Sequence, residues 1–460
     1  MKKRKQFAAL MLSMCMLMSL SACGGQPSGT EGKIPEPENT QQAPSKPAEA
    51  PDLPEHHDPK EPAVEVVPPA TPVDHGGAKT LALQKQLHAL YDWDDTSLLV
   101  RSEFSPVTMW YEDAAKYPKL AETLNQTANM VKRSMEDEYD NLCATAREEL
   151  LWAGENIETS VSTLDIQVRR ADSVVLSLLS DSYSDYGWIE DFRGMHGTNY
   201  DTQTGQELAV TDVVNINQTL AEAVASELNS HQWAGDYDYL TAVEEYFVNT
   251  PTDGISWTLD YNGVTFYFGD GDLEEPGNGR KTATVSFAQH PELFAEKYMV
   301  IPDAYMVELP MDSSFFTDLD GDGDLEELNI TGYFDGGVGM YTKFGIYTDT
   351  NGSYNYEDCY ADGFIPYYVK TADGNHYLYL FCEQNEGSGP IPMMLLVVFD
   401  LKDGILTKIG ELNAAPGFIP PDVYRLPTNP EEFYLDDFDS MAQDMLPFAV
   451  GKTGMPEPKE

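Results

Sequence analysis

Between Gly24 and Lys79 the chain offers nothing from which to build a core: 56 residues hold 12 of its 30 prolines and not one Phe, Trp or Tyr. Such a segment cannot offset the entropy of ordering by burying apolar surface, so it is expected to be a disordered stalk. As a flexible coil it would average roughly 40 Å between its ends, and proline stiffening would lengthen that. Whatever folds must follow, and residues 80 to 460 hold 50 of the 51 aromatics. His56, His57 and Asp58 fall in the stalk and read as solvated polar residues.

What precedes the stalk sets the compartment. Lys2, Lys3, Arg4 and Lys5 are followed by an apolar run from Phe7 to Leu20, then Ser21, Ala22 and Cys23, the layout of a signal peptide. The stretch Leu20-Ser21-Ala22-Cys23 resembles a bacterial lipobox, which implies cleavage before Cys23 and a diacylglyceryl group on its sulfur. No other apolar run approaches the roughly 20 residues that span a bilayer. The mature chain is therefore expected on the outer face of the bacterial cytoplasmic membrane, anchored by lipid. Cys143, Cys359 and Cys382 remain; a Cys359 to Cys382 disulfide and buried thiols are both open readings. The formal charge of −49 repels nucleic acid and attracts cations and basic proteins.

Patterning points to an α+β fold. A short helix is expected around Leu81 to Leu90 and an extended segment near Leu98 to Trp110. From Tyr117-Pro118 onward, Leu120, Leu124, Ala128, Val131, Met135, Tyr139, Leu142, Ala146 and Leu150 recur at steps of three and four, the stripe of one long amphipathic helix. At 1.5 Å per residue it would run to roughly 50 Å. Period-two alternation then takes over at Leu164, Ile166 and Val168, with further strands expected at Val174 to Leu179 and from Trp188 toward Tyr200, so the helix should pack on an antiparallel sheet. A second helix is expected from about Asn217 to Asn229. Asn262-Gly263 between two apolar runs signals a hairpin. Short strands and Gly-rich turns should dominate from about Ile301.

Three stretches carry a family likeness. These are Tyr117-Pro118-Lys119-Leu120; the run from Arg193-Gly194-Met195-His196-Gly197-Thr198-Asn199-Tyr200 on to Asp201-Thr202-Gln203-Thr204-Gly205-Gln206-Glu207-Leu208; and Asp260-Tyr261-Asn262-Gly263-Val264-Thr265-Phe266-Tyr267-Phe268. Over about residues 95 to 300 they resemble exported proteins that pair domains of unknown function 4163 and 3298. The resemblance implies an α+β extracytoplasmic module, one that recurs in a lysozyme-binding anti-sigma factor and ahead of a peptidoglycan deacetylase domain. This chain has Arg193-Gly194-Met195-His196 where the family commonly has Gly-Gly-Ala-His, which puts any role of that loop's backbone in doubt. It also lacks the sigma-binding segment and membrane helix of the one and the metal-ligand motifs of the other.

The sharpest chemical signal is Asp318-Leu319-Asp320-Gly321-Asp322-Gly323-Asp324-Leu325-Glu326. Calcium takes six to eight hard oxygen ligands, and carboxylates on alternate residues of a glycine-bent loop can turn toward one ion. Asp318, Asp320, Asp322, Asp324 and Glu326 are the candidate ligands, Asp324 through its backbone carbonyl. Position twelve is Asn329 instead of the bidentate Glu of an EF-hand, and the following residues alternate like a strand. A calcium loop feeding a strand, with a structural role, is the expectation. Arg193, His196, Asn199 and Tyr200 form a candidate binding loop, although a single His with no second His or Cys at ligand spacing reads as a structural residue. Gly336-Gly337-Val338-Gly339, with no Lys, hydroxyl or helix following in register, reads as a strand turn. Neither Gly-x-Ser-x-Gly nor His-Glu-x-x-His occurs, and no Cys has a plausible His partner.

The sequence thus divides into a lipoprotein signal at 1–22, lipidated Cys23 and stalk at 23–79, a 4163-like module at 80–187, a 3298-like module at 188–300, and a β-rich domain with a calcium loop at 301–460. The functional expectation is a non-enzymatic envelope binding module for a basic protein such as lysozyme or for a wall component. The alternative is an envelope hydrolase acting on peptidoglycan or glycan through an unrecognised carboxylate site. The sequence leaves the oligomeric state open.

Overall fold

A computed structural model of the protein describes residues 77–94, 97–153, 158–185, 192–230, 237–311, 313–335, 340–349, 352–384, 393–416, 418–419, 423–436 and 445–459. The signal, Cys23, the stalk up to residue 76 and Gly336-Gly337-Val338-Gly339 lie outside the described residues.

The described chain opens with four strands, β1 (Leu83–Gln86), β2 (His88–Trp93), β3 (Leu98–Phe104) and β4 (Val107–Met109). The helix expected over Leu81 to Leu90 is thus absent. Leu81, Leu83 and Lys85 are buried at a spacing of two, because β1 is paired on both sides by strands distant in sequence. Two helices follow, α1 (Tyr111–Lys116) and the long α2 (Pro118–Ala153). Proline suits the first turn of α2, where its missing N–H would have no intrahelical partner. The expected stripe faces inward: Leu120, Leu124, Val131, Met135, Leu142 and Ala146 are all buried.

They pack on a five-stranded sheet ordered β2-β3-β5-β6-β7, completed by β5 (Ser160–Ala171), β6 (Val175–Asp185) and β7 (Phe192–Asp201). β3 and β5 run parallel and the other pairs antiparallel. The parallel step follows from connectivity, since α2 lies in the crossover between those two strands. β7, beyond residue 187, is the outermost strand of this sheet.

Next come α3 (Val210–Val213), α4 (Gln218–Ser230) and α5 (Tyr239–Asn249), then β8 (Ser256–Leu259), β9 (Gly263–Phe268) and β10 (Lys281–Ser286). These strands form the sheet β10-β9-β8, with the Asn-Gly hairpin where the sequence placed it. Leu220, Val224 and Leu228 of α4 share a core with Trp257, Phe266, Phe268 and Val285 of this sheet. The seam with the first sheet is tight and polar. Arg169 and Asp260, each almost fully buried, pair at 2.9 Å, and Asn199 Nδ2 donates to the Trp257 carbonyl at 3.0 Å. A Cβ on Gly197 would stand 1.8 Å from that carbonyl oxygen, so only glycine allows the approach.

The remaining strands are β11 (Tyr305–Glu308), β12 (Ser314–Thr317), β13 (Glu326–Asp335), β14 (Met340–Thr348), β15 (Gly352–Ala361), β16 (Gly363–Lys370), β17 (His376–Gln384), β18 (Met393–Asp400), β19 (Thr407–Asn413), β20 (Phe418–Ile419), β21 (Val423–Arg425), β22 (Phe433–Asp436), β23 (Met445–Val450) and β24 (Pro456–Pro458). Sheets β11-β16-β17-β18-β19 and β12-β13-β14-β15 face each other across a core that includes Phe315, Ile330, Phe344, Leu380 and Phe399. β18 is covered on both sides: Val397 and Phe399 enter that core, while Leu396 and Val398 enter a second one with Phe433 and Leu435. This explains its unbroken apolar run. β20 and β21 return to the start of the fold, in the sheet β20-β21-β1-β4. The architecture is α+β, with helices in the first part and a strand-rich C-terminal part. Cys359 and Cys382 are buried thiols and form no disulfide.

Candidate functional site

The acidic loop joins β12 to β13, whose last and first residues, Thr317 and Glu326, are register partners. Its backbone is shaped by its own carboxylates. Asp318 accepts from the Gly321 N–H at 2.6 Å and the Gly323 N–H at 3.2 Å, while Glu326 accepts from the Leu319 N–H at 2.6 Å. Gly321 has φ +83, a conformation L side chains rarely adopt. The result gathers ligand oxygens of Asp318, Asp320 and Glu326 within 4.8 Å of one another, a group that can hold a metal ion. Glu326 is buried, and burial, aided by the charges of Asp320 and Asp318, pushes its carboxyl up to about 7. A cation there would reverse that penalty. Asp322 and Asp324 stand outside the triad. Asp324 accepts from Gln289 Nε2 at 2.6 Å, and Ser286 Oγ donates to the Gly323 carbonyl at 3.2 Å, so the loop rests against the segment after β10.

The candidate binding loop lies on β7, and the structure divides it. Asn199 and Tyr200 are buried and structural: Asn199 Oδ1 accepts from the Leu259 N–H at 2.9 Å and from Ser177 Oγ at 2.6 Å, and Tyr200 joins the core beneath α2. Arg193 and His196 line a cavity of about 310 Å³. The Arg193 guanidinium sits 4.9 Å from the centre of the Tyr183 ring. Burial lowers the His196 pKa from its ordinary value, so the ring is neutral near pH 7.

Residues that sequence reasoning did not single out complete this cavity. On the face of β6 toward α2, Leu176 and Leu178 belong to the core, and the same face continues as Ser180, Ser182 and Ser184. Ser162 pairs across from Ser184, and Ser180 lies opposite His196. Glu138 of α2 accepts from Ser162 Oγ at 2.9 Å and Ser184 Oγ at 3.3 Å. Met135, Tyr246 and Phe268 supply apolar lining. The available signal was the switch from leucine to serine at alternate positions of one strand, which marks where a buried face becomes a wettable one.

No family model matches the chain, and no curated protein matches it. Among solved structures it is similar to a member of the DUF3298 family from Bacteroides fragilis, at 13% identity and a TM-score of 0.37, over 48% of this chain and 98% of that one. It is also similar to a DUF3298 family protein from Pseudomonas aeruginosa, at 13% identity and a TM-score of 0.32, over 49% of this chain and 99% of the other.

Proposed function

We propose that this protein is a lipid-anchored binding module of the bacterial cell envelope, and that its partner is a cationic protein such as lysozyme. The observation that carries the reading is the uncompensated negative charge. The sequence has 77 acidic against 28 basic residues, and the internal ion pairs, each cancelling one acid with one base, leave that excess whole. Arg147 lies on Asp92 at 2.7 Å, Lys459 on Glu432 at 2.6 Å, Arg170 on Asp172 at 2.7 Å, and Lys297 on Asp201. Such a field raises the encounter rate with a positively charged partner and is screened by salt. Cys23 and the stalk would hold the folded part clear of the membrane, and calcium would fill the Asp318, Asp320, Glu326 group as a structural ion. Calcium suits hard oxygen ligands on a flexible loop better than magnesium, which demands near-ideal octahedral geometry.

The test is association with lysozyme measured by surface plasmon resonance at increasing salt. Binding at low ionic strength that weakens by an order of magnitude or more as salt shortens the screening length is expected. No association at any salt concentration would remove the reading.

A further inference from the structure

At the end of β13 away from the acidic loop, exposed aromatics sit within an acidic rim. Phe334, near the close of β13, is 60% exposed, and Tyr360, near the close of β15, is 50% exposed. Strand register sets them two strands apart: Phe334 lies opposite Tyr341, and Tyr341 opposite Ala361, the residue after Tyr360. Carboxylates follow on both, Asp335 after Phe334 and Asp362 after Ala361. The Asp362 N–H donates to the Glu383 carbonyl at 2.7 Å, which brings a third acid to the same end. Building on the cationic-partner reading, we propose that the partner docks here, a lysine or arginine side chain lying against Tyr360 and Phe334 beside Asp362 and Glu383.

The backbone at Tyr360 supports a role for its side chain. Its φ is +44, and the other described non-glycine residue with a positive φ is Asp403. Aspartate enters that region readily, whereas a bulky residue is strained there. Glycine would carry the chain from β15 into β16 without that strain, and a ring half in solvent adds little to the core, so packing does not account for a tyrosine. Strain of this kind persists at sites where the side chain has work to do. The kind of partner follows from the two chemistries present. Aromatic faces and carboxylates both attract cations, and the carboxylates turn anionic surfaces away. The residue before Phe334 shows the contact in miniature, with Lys343 Nζ 4.6 Å from the centre of the Tyr333 ring. Burial and the charges of Asp362 and Glu103 push the Glu383 carboxyl above its ordinary value, a repulsion that an incoming cation relieves. A second copy of this chain is the poorer fit, since it brings the same surplus of acid.

Uncharged substitutions separate this patch from the overall field, which they leave intact. Surface plasmon resonance of the full chain against lysozyme at low salt compares the parent with Tyr360→Gly, and with Tyr360→Gly combined with Phe334→Ser. The single variant should weaken binding about threefold and the double variant about tenfold or more, as the loss of central aromatic anchors does. The Tm of Tyr360→Gly should stay level or rise, because the strain removed offsets the added freedom of the unfolded chain. Should the double variant lose stability, Tyr360→Gly carries the test alone. Trp93→Ser, at an aromatic 61% exposed on β2, should bind as the parent does. Parent affinity in Tyr360→Gly, or an equal loss in Trp93→Ser, would overturn docking at this patch and leave the cationic-partner reading standing. No binding by the parent would remove both. A parent that self-associates where Tyr360→Gly does not would assign the patch to a second copy and overturn the proposal.

Discussion

The acidic loop and the serine-lined cavity are opposite solutions to making a polar site. The loop draws its triad from nine consecutive residues, and the carboxylates that would meet an ion are the same ones that fold its backbone. The cavity draws on α2, three strands of the first sheet and, through Tyr246 and Phe268, on α5 and β9. A local site should therefore tolerate damage elsewhere and respond to its ligand; a site assembled across a seam should stand or fall with that seam.

The strongest attempt to break this contrast is Gly197→Ala. The new Cβ would collide with the Trp257 carbonyl, and backbone cannot swing aside as a flexible side chain can. A loss of about 3 kcal/mol is expected in chemical denaturation, at the upper end for overpacked interiors. Calcium-dependent stabilisation should persist in whatever fraction folds. If the variant is as stable as the parent, the seam is looser than described and the contrast fails.

Metal removal comes second. Calcium at about 100 times its Kd should stabilise the protein by about 2.7 kcal/mol, seen as a rise in Tm that chelator reverses and Asp318→Ala abolishes. Its pH dependence follows from Glu326, whose carboxyl is raised to about 7. Without the ion, a raised carboxyl contributes stability that is fully present below its unfolded value near 4.5 and is lost as pH rises through about 7. Ion binding needs the deprotonated form, so the calcium-induced gain in Tm should be larger at pH 8 than at pH 6. An equal gain at both would place the ion away from Glu326.

Gly321→Ala is the mildest probe. No neighbouring atom lies within 4 Å of a Cβ there, so the cost is the backbone conformation alone, about 1 kcal/mol, measured by denaturation in chelator. A cost much above that would mean the loop supports the sandwich even without an ion.

This contrast also explains what could be read from the chain. The α2 stripe, the Asn262-Gly263 hairpin and the acidic loop are each written in a few neighbouring residues, and each lies where its local pattern put it. β1 was misread because its strand character comes from β4 and β21, the latter more than 330 residues away in sequence. Arg193 and His196 were picked out together with Asn199 and Tyr200, yet only the first two reach the cavity. Alternation along β7 cannot say which residues the Trp257 strand will cover. The serine row was visible but carried no meaning until α2 and α5 were placed beside it.

The closing contact of the fold lies between its ends. Thr428 Oγ1 donates to the Leu81 carbonyl across 347 residues, and the Leu426 N–H donates to the Leu83 carbonyl. β21, one of the two strands that flank β1, is synthesised more than 330 residues after it, so β1 waits half-paired until then. Folding of this region is consequently slow, as contacts of such long sequence separation require. A chain cut short before residue 423 would leave β1 with an open edge, a ready template for aggregation.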